Sequence, residues 1–288
     1  MEGAAEMKLH LHIGAHKTAT THFQDYLKKI PVNDDFYFLE TDIARKNFSM
    51  EGNSCSIQDS ERFYKNLAGQ KYKMVLISDE NICGHSYHIF RDQRLYQTIG
   101  ERLKRISFFN EIFDEIDIWL TLRSQETFLS SLYCEAIRWG SFKSFSSVFE
   151  GNFHQSWLPV IDEVKKSFPC ANLNILLYEN YGENFPPLIY EITGSAPSQG
   201  ASPEQAVYTS LNGFSVKASS MINKFCPVPQ RPFLIRLISR LSKRFSQGKF
   251  QPFSKQQAIE LKQLYASDIK ALEDDPAISM FHGKRPDL

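Results

Sequence analysis

A charge imbalance is what this chain most plainly lacks. Its 33 Lys and Arg are matched by 33 Asp and Glu. No global field therefore draws it to a polyanion, and nucleic acid is not an expected partner. Cysteine is scarce and unpatterned: Cys55, Cys83, Cys134, Cys170 and Cys226 are an odd number, widely spaced, with no CxxC pair. That spacing argues against a disulfide framework and a cysteine zinc site, and it fits a reducing compartment. No run approaches the ~18 apolar residues that a membrane helix needs. The opening "MEGAAEMK" is short and acidic, unlike a signal peptide. These absences lead to the expectation of a soluble, cytoplasmic protein. What is present is apolar side chain, 42% of 288 residues, enough to bury a sizeable core.

The apolar runs alternate with helical patterns over the first two-thirds of the chain. "KLHLHIG" (8–14), "YKMVLIS" (72–78), "IDIWLTLR" (116–123) and "LNILLYE" (173–179) each read as a short buried strand, with "YFLE" (37–40) a fainter one. Helical patterns fill 20–29, 59–69, 93–113, 125–138 and 156–168. Strands separated by helices imply right-handed crossovers and a parallel sheet covered on both faces, a three-layer α/β fold. Beyond about residue 195 the pattern changes. "GSAPSQGASPEQ" (194–205) has the composition of a loop, and a last helix is expected over 254–273. The division expected is an α/β core over 7–195 and a mainly helical region over 196–288. The latter is either part of the same domain or a subdomain, and a candidate for binding an acceptor.

The chemistry concentrates after the first strand. In "LHLHIGAHKTATTHFQDYLKK" a strand feeds a glycine turn and then a helix, an arrangement that offers free N–H groups and the positive end of a helix dipole to an anion. Gly14 permits the turn, Ala15 and His16 lie within it, Lys17 adds a point charge, and Thr18, Thr20 and Thr21 add hydroxyls. The ATP-binding pattern GxxxxGK[ST] is not met, because only two residues separate Gly14 from Lys17 and no glycine precedes the lysine. A helix start capped by Thr18 or Thr20 is the plain structural alternative. A second element follows: Arg123 ends the strand "IDIWLTL", with Ser131 eight residues later and Tyr133 beyond it. A guanidinium gives bidentate bonds to phosphate, and a hydroxyl adds a neutral donor.

Together these stretches resemble the sulfotransferases that use 3′-phosphoadenosine 5′-phosphosulfate (PAPS). Lys17-Thr18-Ala19-Thr20-Thr21 is similar to their K-[ST]-G-T-T loop for the 5′-phosphosulfate. Arg123 and Ser131 are similar to their pair for the 3′-phosphate. Ala19 departs from the family's glycine and fits if that position has an ordinary negative φ. Gln125 stands where many members have proline. The resemblance covers about residues 8–30 and 116–140 and implies a core related to nucleoside kinases. It also implies PAPS as co-substrate, no metal, and an acceptor hydroxyl or amine, closest to the bacterial enzymes that modify carbohydrates or lipid-linked glycans.

A general base is then needed beside the acceptor. "KMVLISDENICGHSYH" brings Asp79, Glu80, His85 and His88 to the sheet edge where ligands gather in such folds. Ser78-Asp79-Glu80 is similar to the S-[SD]-E stretch of bacterial relatives, which favours Glu80; His85, His16 and His22 stay open as alternatives. From Met221 to Phe253 there are seven Lys or Arg and no Asp or Glu. Within 224–250 this basic stretch has three functional readings beside simple packing. It is an amphipathic contact with an anionic membrane at its inner face, a saccharide groove, or a lid through Gln247-Gly248-Lys249. Two rival functions use the same residues: a nucleotide or nucleoside kinase, and a non-catalytic binder of 3′,5′-ADP.

Overall fold

The computed structural model describes residues 7–283, apart from 32, 34, 51, 52, 142, 150–153, 196, 198–210 and 243–247. Most of the loop expected over 194–205, and Lys243, Arg244 and Gln247 of the basic stretch, lie outside the described residues. Six parallel strands form one sheet: β1 Lys8–Gly14, β2 Phe36–Leu39, β3 Met74–Ser78, β4 Glu115–Leu122, β5 Asn172–Leu177 and β6 Ile278–Met280. Their order is β2-β3-β1-β4-β5-β6. Each strand therefore returns through a crossover, and helices cover both faces.

The helices are α1 Thr20–Leu27, α2 Thr41–Asn47, α3 Ile57–Ala68, α4 Ser86–Asp92, α5 Ile99–Lys104, α6 Phe109–Ile112 and α7 Gln125–Arg138. They continue with α8 Phe145–Phe149, α9 Leu158–Ser167, α10 Tyr181–Thr193, α11 Gly213–Phe225, α12 Arg231–Ser242 and α13 Lys255–Glu273.

The two-residue period of β1 divides the core. Leu9, Leu11 and Ile13 face the larger apolar layer, with Phe128, Leu132 and Ile137 of α7 and Leu261 and Leu272 of α13. The opposite layer holds Phe23 and Leu27 of α1, Trp119 of β4 and Phe185 and Ile189 of α10. His10 and His12 also point to this second side. His10 Nδ1 accepts from Trp119 Nε1 at 3.1 Å, and His12 bonds the Ser78 hydroxyl at 2.8 Å and meets Phe23 edge-on. Burial pushes both imidazoles down to about 4, so they are neutral parts of the core.

Two differences from the sequence pattern bear on the site. The helix expected over 93–113 is broken: Gln93 and Tyr96 take positive φ, and only 99–104 and 109–112 are helical. The reason is tertiary, since the Tyr96 ring packs near Phe128 and Trp157 and its hydroxyl is held by His16. The chain also returns to the sheet after the basic stretch. In α13, Asp268 accepts from Gln125 Nε2 at 3.1 Å, the Ser156 hydroxyl at 2.7 Å and Trp157 N–H at 2.9 Å, and β6 then pairs with β5. Gln125, where the resemblance expects proline, thus serves as a buried tie between α7 and α13.

Candidate functional site

Because β1 lies between β3 and β4, the C-terminal ends of three neighbouring strands deliver their loops side by side. β1 gives residues 14–19, β3 gives Asp79 and Glu80, and β4 gives Arg123. Ala15 N–H bonds Thr121 O, and Asp79 N–H bonds His12 O, both at 2.9 Å, so the strand pairing runs into the loops and fixes their spacing. Gly14 is required twice over. Its φ is +106°, and a Cβ there would meet Glu80 Cβ at 3.0 Å and Glu80 Cα at 3.1 Å. Glu80 therefore packs directly on the turn.

The loop backbone is left-handed at Lys17 (φ 60°) and at Ala19 (φ 66°). Ala19 thus lacks the ordinary negative φ on which its fit in place of glycine depended; it holds a conformation that costs a residue with a Cβ roughly 1–2 kcal/mol. Turns of this kind shape anion-binding concavities. The start of α1 carries no side-chain cap. Thr18 Oγ1 donates to Ala15 O at 2.6 Å, and Thr20 Oγ1 reaches the same carbonyl at 3.4 Å. The capped-helix alternative does not hold, and the first-turn N–H groups keep no intrahelical acceptor. Thr21 is exposed at the helix start. Lys17 extends its ammonium to Glu135 Oε2 at 3.4 Å.

Arg123 joins the loop to the second motif. Its Nη1 donates to Lys17 O at 2.6 Å, its Nε donates to Thr127 Oγ1 at 3.0 Å, and it lies 4.3 Å from the centre of the Tyr178 ring. The guanidinium is buried, which pulls its pKa down, and both of these hydrogen-bond partners are neutral oxygens. A buried cation whose bonds go to neutral groups is suited to an anion. Beside it a pocket of about 70 Å³ is lined by residues that include Arg123, Glu126, Thr127, Ser130, Ser131 and Lys249. Ser130 donates back to Glu126 O at 2.6 Å, whereas Ser131 is available at the pocket wall. Trp157 Nε1 holds Arg123 O at 3.0 Å.

On the other side of the loop, the Glu80 carboxyl is raised above its ordinary pKa by burial and then by Asp79. Its Oε2 is buried without a hydrogen-bond partner. Arg45 grips Asp79 through two bonds, of 2.9 and 2.7 Å, and stands 3.7 Å from Glu80. A larger cavity, about 250 Å³, opens here between Arg45, Lys46, Asn53, Asp79, His85 and Arg102. His85 is on that cavity wall and stacks on Tyr87.

His16 faces inward. Its N–H donates to the Tyr96 oxygen at 2.9 Å, its Nδ1 bonds the same hydroxyl at 2.9 Å, and its Nε2 meets Asn81 Oδ1 at 3.2 Å. Burial holds it down at about 4. His22 turns away to the Tyr181 hydroxyl.

The structure thus gathers Gly14, Lys17, Glu80 and Arg123 around one loop, with Ser131 in the pocket beside it, and leaves His22 apart. Sequence reasoning missed Glu135 and Tyr178. Glu135 follows Ser131 by four residues on α7, a spacing that puts both on one helix face and was open to reading. Among the described residues no cluster of His, Cys, Asp and Glu is arranged to hold a metal. No protein-family model matches the chain, and no curated protein matches it.

Proposed function

We propose that this protein is a PAPS-dependent sulfotransferase with a P-loop-kinase-like core. One observation carries the reading: Arg123 binds the loop at Lys17 O and at the same time lines a pocket with Ser131 and Lys249, which supports one site built from both motifs. PAPS supplies a sulfuryl group on a phosphate leaving group. The free N–H groups at the start of α1, with Lys17, suit the charge at the 5′ end; Thr18 and Thr20 shape the loop, and Thr21 offers its hydroxyl. Arg123, Ser131 and Lys249 suit the 3′-phosphate. Glu80 accepts the proton of an acceptor hydroxyl or amine at its carboxylate, and burial strengthens it as a base. The acceptor, a carbohydrate or lipid-linked glycan on the resemblance, would approach from the cavity bordered by Arg45 and His85, which Asp79 and Asn81 line on either side of Glu80 in sequence.

Calorimetric titration with 3′,5′-ADP and, separately, with ATP and magnesium tests this. Arg123→Ala removes charge-assisted bonds worth about 1.5–3 kcal/mol each and should weaken 3′,5′-ADP by more than tenfold. Ser131→Ala, which breaks no bond within the fold, should weaken it several-fold. Preference for ATP and magnesium favours a kinase, and binding of neither nucleotide overturns the reading. Tight 3′,5′-ADP binding without transfer from labelled PAPS to any glycan leaves a binding protein.

A further inference from the structure

Helices α11 and α12 bury several polar side chains and turn large apolar ones to solvent. α11 buries Ser215, Ser219 and Asn223, one every four residues, together with Val216, and turns Phe214, Met221 and Phe225 to solvent. The inward polar face is used: Asn223 Nδ2 donates to Ile137 O at 2.6 Å and to Ser141 O at 2.8 Å, and the Ser215 and Ser242 hydroxyls bond each other. These contacts fix which side of the hairpin faces out. α12 has a mixed inner face, with Ile235 and Ser242 buried, while Phe233, Leu237 and Leu241 form an exposed i, i+4, i+8 stripe. Phe225 is 71% exposed and Phe233 70%. At the end of α7, which α11 meets through Asn223, Trp139 is 84% exposed, and a Cβ on the next residue, Gly140, would stand 3.9 Å from Arg231 Nη1. An outward apolar surface drawn from three helices marks an interaction site.

Charge identifies the partner. The chain is neutral as a whole, yet from Met221 to Phe253 it has seven Lys or Arg and no Asp or Glu. Lys224, Arg236 and Arg240 are exposed beside the apolar stripe, and Lys224 Nζ lies 5.3 Å from the Phe225 ring. A second copy of this chain would press like charges together at the same face, which is unfavourable. An anionic bilayer surface satisfies both properties, with aromatic and aliphatic side chains entering the headgroup boundary and long cationic side chains reaching the phosphates. We propose that the α11–α12 face docks this protein peripherally on anionic lipid. The inference does not depend on the sulfotransferase reading.

The full chain supplies its own reporter, because Trp119 and Trp157 are 1% and 0% exposed and only Trp139 is open. Phosphatidylcholine vesicles containing phosphatidylglycerol should shift the tryptophan emission to the blue and sediment the protein; phosphatidylcholine alone should do neither, and salt should reverse the effect. Lys224→Gln, Arg236→Gln and Arg240→Gln together should weaken binding about a hundredfold, at about fivefold per cation. Phe225→Ser with Phe233→Ser should weaken it at least tenfold, with thermal melts of both variants unchanged, since all five side chains are exposed. Three results overturn the proposal. These are equal binding to neutral vesicles, no binding, and a concentration-dependent dimer that the two Phe substitutions abolish.

Discussion

Replacing Gly14 by alanine tests how tightly the loop and the candidate base are packed. Two penalties apply at this residue. A φ of +106° is strained for any side chain, at about 1–3 kcal/mol. The new Cβ would also stand 3.0 Å from Glu80 Cβ and 3.1 Å from its Cα, and overpacking of this kind costs about 1–3 kcal/mol more. Gly248 isolates the first penalty, because its φ is +105° and a Cβ there meets nothing within 4 Å. With roughly 2 °C per kcal/mol for a chain of this size, Gly14→Ala should lower Tm by about 4–12 °C and Gly248→Ala by about 2–6 °C. The gap between the two variants belongs to Glu80. Adding Glu80→Gly to Gly14→Ala should recover part of it, a coupling of at least ~1 kcal/mol in a double-mutant cycle. Scanning calorimetry reads the wild type, the three single variants and the double variant. Equal losses for the two glycines, with no recovery in the double variant, would refute the packing of Glu80 on the turn.

Two further outcomes concern the scaffold. His10, His12 and His16 are each held at about 4, below the 6.5 of an unfolded histidine, so the unfolded chain binds more protons between those values. Stability is complete above about pH 6.5 and is lost on acidification, by about 1.4 kcal/mol per pH unit for each histidine well inside that window. Urea melts from pH 7 to 4.5 should show this slope, and His12→Asn should flatten it. Asp268→Ala strands the Gln125, Ser156 and Trp157 donors that it now satisfies. It should cost about 3 kcal/mol and, through the Trp157–Arg123 bond, weaken 3′,5′-ADP as well. Unchanged affinity in a folded variant would remove Asp268 from the support of the site.

The strands were legible because each buried run is short, rich in branched or aliphatic residues and followed by a turn signal. The loop and the Arg123–Ser131 pair were legible because their residues are close in sequence. What escaped depends on distance or on conformation. Tyr96 breaks a helical pattern because its hydroxyl is needed 80 residues away at His16. Glu135 meets Lys17 across the fold, and its spacing from Ser131 marks a shared helix face without naming the lysine as partner. α10 carries Pro186 and Pro187, which interrupt the helical signal, and β6 is only Ile278–Met280, partly exposed and without a buried run. The left-handed φ of Ala19 was hidden by its identity, since alanine ordinarily advertises a right-handed helix.

The tie from Asp268 through Trp157 to Arg123 also sets an order of events during synthesis. Arg123 of the candidate anion pocket leaves the ribosome more than a hundred residues before the carboxylate that steadies it. Until α13 has been made and has packed, Gln125 and Trp157 lack their common acceptor. Tyr265, on the same helix, has likewise not reached Glu179, which receives Ser124 N–H. A nascent chain that has finished β5 therefore holds every residue of the two motifs without yet holding a binding site. On the proposed reading, competence for 3′,5′-ADP waits for α13, and its binding would report completed tertiary structure rather than the mere presence of the loop.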